Sequence, residues 1–223
     1  MEDPLKTWQP RLQAIAAAHA SDDGAHDANH LQRVWRTACA LLAQHPEADA
    51  LVVQAASFLH DLVNLPKDHP QRAEASRLAA AAAQEELARI GFPSEKLAAV
   101  MHAIEVHSFS AGIAPDTIEA KIVQDADRLD ALGAVGLARL FYTAGQMGSM
   151  LAHPHDPLAQ SRAPDDRNYA LDHIAVKLEK LPASMQTAAG RELGEARLVL
   201  VRAFRDHFLA QWGDPAHAQH NSE

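Results

Sequence analysis

Cysteine is nearly absent from this chain: Cys39 is the only one in 223 residues. An internal disulfide and a CxxC metal site are thereby excluded, which suits a reducing compartment. Basic residues are in deficit, with 20 Lys and Arg against 29 Asp and Glu and a formal charge of −9. A polymeric nucleic acid would have to approach against the field of the whole molecule, whereas a small anionic ligand needs only a local basic patch. Long apolar runs are missing too. None reaches the ~18 residues that a membrane span requires, and MEDPLKTWQP at the start has no signal-peptide-like apolar region. The expectation is a cytoplasmic protein with no membrane partner. Period-2 alternation is also lacking and β-branched runs are short, which leaves no convincing strand.

What is there is helical. Ala, Leu, Glu, Gln and Arg dominate, so the fold class expected is all-α, a single-domain helical bundle. Helices are predicted over Trp8 to Ala20, from near His26 through LQRVWRTACALLAQH, and over Glu47 to Asp61, with Gly24 and Pro46 as breaks. RAEASRLAAAAAQEELARI follows Pro66 and Pro70, and a helix from Ser94 to about His107 follows Gly91 and Pro93. TIEAKIVQDADRLDALGAVGLARLFYTAG reads as a helix broken near Gly133 or Gly136. Gly145 to Arg167 reads as a long, partly mobile surface loop. Two amphipathic helices close the chain, over Tyr169 to Lys180 and up to Trp212. In the last, Leu193, Leu200, Val201, Phe204, Phe208 and Trp212 are expected on one core-facing stripe. The domain is expected to span 1–213, with a disordered tail over 214–223.

The stretch FLHDLVNLPKDHP sets an imidazole and a carboxylate, His60 and Asp61, at the end of an apolar helix. Chance alone would give about one such HD dipeptide in this composition, and the chain has three, at 26–27, 60–61 and 155–156. Context distinguishes the middle one, because polar groups drawn into a core need partners. They cap the segment and face water, or they hold a metal. GAHDANHLQRV puts His26, His30 and Arg33 on one helical face, set against Leu31, Val34, Ala38 and Leu41. KIVQDADRLDALGAV embeds Asp127 and Asp130 among small and apolar residues; the plain alternatives are an ion pair with Arg128, or surface exposure. His30, His60, Asp61 and Asp127 together come from three helices. They offer two imidazoles and two carboxylates to one divalent ion, with no soft ligand to narrow the choice among Mn, Mg, Co, Ni, Fe and Zn.

The ordered pattern His30, His60–Asp61, Asp127 resembles the HD-domain superfamily of metal-dependent phosphohydrolases. HDANHLQRV, FLHDLVNLPKDHP and VQDADRLDALGA look like a subgroup of small, stand-alone bacterial members. The resemblance runs over about 26–212, with an HD core over about 26–140 and LPASMQTAAGRELGEAR in the C-terminal helical part, about 166–212. It implies a helical bundle that binds one metal through those four residues. It also implies hydrolysis of a nucleotide or other small phosphate ester by hydroxide formed on the metal, with Asp61 holding the ion and orienting the water. The sequence departs in one place. Several HD phosphohydrolases carry an acid three residues after the HD aspartate, and here that position is Asn64, which cannot shuttle a proton. Asp130 and His107 are the candidates for that task.

Arg33, Lys67, His69, Arg72 and Arg128 lie close in sequence to the proposed ligands. A guanidinium fork or an ammonium beside a metal suits phosphate. His26, Arg33, Asn64, Lys67 and Arg128 are the expected substrate contacts, while His69 and Arg72 read as solvated residues. In MHAIEVHSFS, His102 and His107 are five apart, about 140° round a helix, so both reach one ion only if the helix ends between them. His153 and His155 read as surface residues. Two other function classes fit the same pattern: a di-iron oxygenase of the same superfamily, and a non-catalytic nucleotide-binding sensor.

Overall fold

The computed structural model describes residues 3–19, 28–63, 65, 69, 71–108 and 112–213. His26, Asn64, Lys67, the side chain of Arg72 and the tail 214–223 lie outside the described residues. Nine α-helices form among the described residues, with short 3₁₀ turns and a lone parallel bridge between Met150 and Tyr169. The all-α expectation holds. No described helix is long and apolar enough to cross a membrane. Contacts divide the chain into two units, 1–128 with 186–190, and 129–185 with 191–223.

The first unit is built round α3 (Ala50–Leu59), which is largely apolar and buried at each position from Leu51 to Leu59, Gln54 and Ser57 being its polar residues. Helices α1 (Pro4–Ala18), α2 (Ala28–Leu42), α4 (Ala75–Arg89) and α5 (Leu97–His107) pack against it. It is shorter than the predicted 47–61 because Asp49 caps it. The Asp49 carboxylate accepts from Leu51 N (3.0 Å) and Val52 N (3.3 Å) and pairs with Lys96, while Glu119 accepts from Asp49 N at 2.9 Å. At the other end His60 is the C-cap, so His60 and Asp61 stand where the backbone leaves the helix. α1 begins four residues earlier than predicted, because Asp3 caps it and Pro4 suits its first turn. α6 (Ile118–Leu129) completes the unit.

In the second unit the predicted break falls at 130–132. Gly133 opens α7 (Gly133–Gln146) with φ +77°, and Gly136 leaves no room for a Cβ, which would lie 2.1 Å from the Ala131 carbonyl oxygen. The loop that follows is tied from within. Arg162 grips Asp172 with two hydrogen bonds (2.6 and 2.8 Å) and lies 4.7 Å over the Tyr169 ring, and Asp156 accepts from Gln160 N and Ser161 N. The predicted helix over 169–180 shrinks to α8 (Asp172–Val176) and 3₁₀ turns. α9 (Ala188–Trp212) buries Leu198, Val201 and Leu209, a stripe that shares Val201 with the predicted one and leaves Leu200 45% exposed. The predicted aromatics lie at its edge, where Phe141 of α7 meets Phe204 and Phe208.

Candidate metal centre

Four helices of the first unit each bring a polar residue to one point: His30 from α2, His60 and Asp61 from the end of α3, His107 from the last turn of α5, and Asp127 from α6. His30 is only 1% exposed, although the helical wheel of the sequence set it on a polar face. The reason is spacing, since position 34 lies one turn beyond 30 and Val34 and Leu41 share its buried stripe. His30 Nε2 lies 3.6 Å from Asp61 Oδ2 and 3.5 Å from Asp127 Oδ1. His60 Nε2 lies 3.5 and 3.7 Å from the same two oxygens, and His107 Nε2 is 3.6 Å from Asp61 Oδ1.

The backbone selects the tautomers. His60 Nδ1 is 3.0 Å from the Ser57 carbonyl and His107 Nδ1 is 2.6 Å from that of Ile104. A carbonyl only accepts, so each Nδ1 carries a proton and each Nε2 is aimed at the cluster. The imidazoles are sealed, but the Asp61 and Asp127 side chains keep 21% and 27% of their surface open. A ligand would therefore reach the centre from the carboxylate side. Burial pushes both carboxyls up, and nearby imidazoles outweigh it: His60, His107 and His30 hold Asp61 well below the usual range, and His60 leads the groups that lower Asp127. Burial likewise depresses His107, and Asp61 and Asp127 more than reverse it, so its pKa is raised.

The donors fit a divalent ion. Among the described residues the buried His60 Nε2 makes no hydrogen bond, a costly state for a polar atom unless something else binds it. Separations of 3.5–3.7 Å are shorter than twice a metal–nitrogen bond of ~2.1 Å, so an ion could sit between each of these nitrogen–oxygen pairs, and the donors form two overlapping groups, His30, His60 and Asp61, and His60, His107 and Asp127. Nitrogen and carboxylate oxygen without thiolate suit the divalent ions expected. The four predicted ligands, His30, His60, Asp61 and Asp127, are thus brought together, and His107 joins them.

Other predicted residues fare differently. Arg33 is half-buried on α2, one turn from His30. Arg128 is half-buried beside Asp127 and Asp125; burial lowers its pKa and the two carboxylates oppose that. Asp130 belongs to the second unit, where Arg139 holds its carboxylate at 2.8 Å. His102 pairs with Asp116 and Glu105 with Arg77, so of this segment only His107 is in the cluster among the described residues. The sequence reading passed over Gln124 and Asp125, which are buried on α6. Their signal was available: Asp125 stands three after Ile122 and four before Leu129, on an apolar stripe.

A family model described as HD domain matches residues 27–132. YpgQ, an uncharacterized protein of Bacillus subtilis, is 33% identical over 199 residues, 87% of this chain and 85% of that protein. The crystal structure of Bacillus subtilis YpgQ in complex with ADP superposes with TM-score 0.68 at 32% identity, covering 90% of this chain and 97% of that one. An HD-superfamily hydrolase of Bacillus thuringiensis superposes with TM-score 0.68 at 28% identity, covering 94% and 96%. With its His and Asp groups assembled at one point inside the matched region, the chain belongs to the HD-domain superfamily.

Proposed function

We propose that this protein is a metal-dependent phosphohydrolase acting on a nucleotide or another small phosphate ester. The observation that carries the reading is the centre itself: imidazoles sealed in the core, carboxylates open to solvent, and Arg128 beside them. The relative YpgQ has been solved in complex with ADP, which supports a nucleotide as the substrate class. In this reading His30, His60, Asp61 and Asp127 hold one divalent ion. Such an ion lowers the pKa of bound water from ~15.7 towards ~7 and so supplies a nucleophile at neutral pH.

The chain's own residues do the rest. Arg33 and Arg128 offer guanidinium forks to phosphate oxygens, and His26, Asn64 and Lys67 are further substrate contacts on the grounds of sequence alone. His107 is the group that moves a proton. Its Nε2 faces Asp61 Oδ1 at 3.6 Å, beside the carboxylates that open to solvent, so it stands where a proton can be passed to the departing oxygen. Asp130, the other candidate, has its carboxylate held by Arg139 at 2.8 Å, which favours His107 for this step.

The test is a screen of nucleotides, sugar phosphates and an aryl phosphate with several divalent metals, alongside metal analysis. About one ion per chain and phosphate release are expected, and Asp61→Ala should lose both while keeping its helical spectrum. Wild-type turnover in that variant would sink the mechanism. Two irons per chain with oxygen uptake would favour an oxygenase, and no turnover on any substrate would favour a sensor.

A further inference from the structure

His107 stands at the last residue of α5, where the final carbonyls have no partner within the helix. One of them is met from α6. Gln124, 1% exposed, donates its Nε2 to the Val106 carbonyl at 2.8 Å, one residue before His107. Because that carbonyl only accepts, the amide nitrogen must face it and the amide oxygen must face away. The oxygen is met in turn by Gln186 Nε2 at 3.1 Å. Gln186 is anchored by its neighbours: Asp125 accepts from Gln186 N, Thr187 N and Thr187 Oγ1, each at 2.8 Å. A polar chain thus runs from the buried Asp125 through residues 186–187 and Gln124 to the turn that carries His107.

We infer that Gln124 is a positioning residue for His107: it fixes the end of α5 so that the His107 Nε2 faces Asp61, and Gln186 sets the direction of its amide. This rests on the reading of the centre as a metal site. His107 Nε2 lies 3.6 Å from Asp61 Oδ1, so a shift of the turn that carries it changes what stands beside that carboxylate, as changes outside the ligands themselves alter a metal site. Replacing Gln124 by Met keeps the length and removes the donor. The Val106 carbonyl then loses its partner and the turn shifts.

The experiment is calorimetric titration of Mn²⁺ into the full chain, with helicity checked by circular dichroism, for wild type, Gln124→Met, His107→Ala and the double variant. Gln186→Met, at an exposed position, is the milder cut if Gln124→Met does not fold. The dissociation constant is expected to rise about tenfold in Gln124→Met and by less in Gln186→Met. In the His107→Ala background Gln124→Met should add nothing, because its effect passes through His107. An unchanged constant in Gln124→Met, or in Gln186→Met should that alone fold, would overturn the inference. An equal rise with and without His107 would overturn it too, by showing that the glutamine acts elsewhere. Failure of wild type to bind Mn²⁺ or any other divalent ion would instead remove the metal reading, and this inference with it.

Discussion

His107 is the most informative single residue, because its charge is tied to two carboxylates that are themselves ligand candidates. Without metal its pKa lies above the ordinary ~6.5 of the unfolded chain. A raised histidine pKa means that the folded state binds the proton more tightly, so its stabilising contribution is complete below ~6.5 and is lost as pH rises through the folded value. Melting temperatures in a chelator, measured from pH 5 to pH 9, should therefore fall on the alkaline side. His107→Ala should flatten that fall. Deprotonation also frees Nε2 and leaves the carboxylates without a competing proton, so metal affinity should climb over the same range. Asp61 and Asp127, held low by the imidazoles, stay ionised throughout it.

At the scale of elements, the ends of helices matter more here than their middles. His60 caps α3, His107 closes α5, and Thr187 stands before α9, its hydroxyl accepting from Gly190 N at 2.9 Å. Gly190 is tightly enclosed: a Cβ would lie 2.4 Å from Asp125 Oδ2 and 2.8 Å from Thr187 Oγ1. Gly190→Ala must displace the carboxylate or the helix start, and a loss of about 1–3 kcal/mol is expected, measured by urea unfolding. A gain in stability from the better helix former would show that Asp125 does not clamp this turn. The helix ends at His60 and His107 were legible in advance, but the clamp of Asp125 on Thr187 was not. Helices could be placed from periodicity and from Gly and Pro breaks, but the partner of Asp125 lies 62 positions away, and no local pattern carries that distance. On α9 the expected stripe holds at Val201 and fails at Leu200, which is apolar and still faces solvent, since hydrophobicity permits burial without requiring it.

For the whole molecule, metal and stability are linked. An ion that binds only the folded first unit stabilises it by about 2.7 kcal/mol at a hundred times its dissociation constant. Mn²⁺ at that level should raise the first unit's melting temperature by several degrees, a chelator should reverse the rise, and Asp61→Ala should show none. A variant without Asp61 that still gained as much would place the ion elsewhere. The chain's composition and period by themselves determined the all-helical class, because helix propensity and a 3.6-residue stripe are local properties. The order His30, His60–Asp61, Asp127 likewise determined the donor types, because ligand chemistry resides in the side chain. Tertiary structure decided the rest: that His30 faces inward, that His107 joins the cluster, that Arg139 holds Asp130, and that Gln124 and Asp125 reach residues 186–187. These are matters of which helices meet and which backbone carbonyls orient the imidazoles, and such contacts exist only once distant segments are packed.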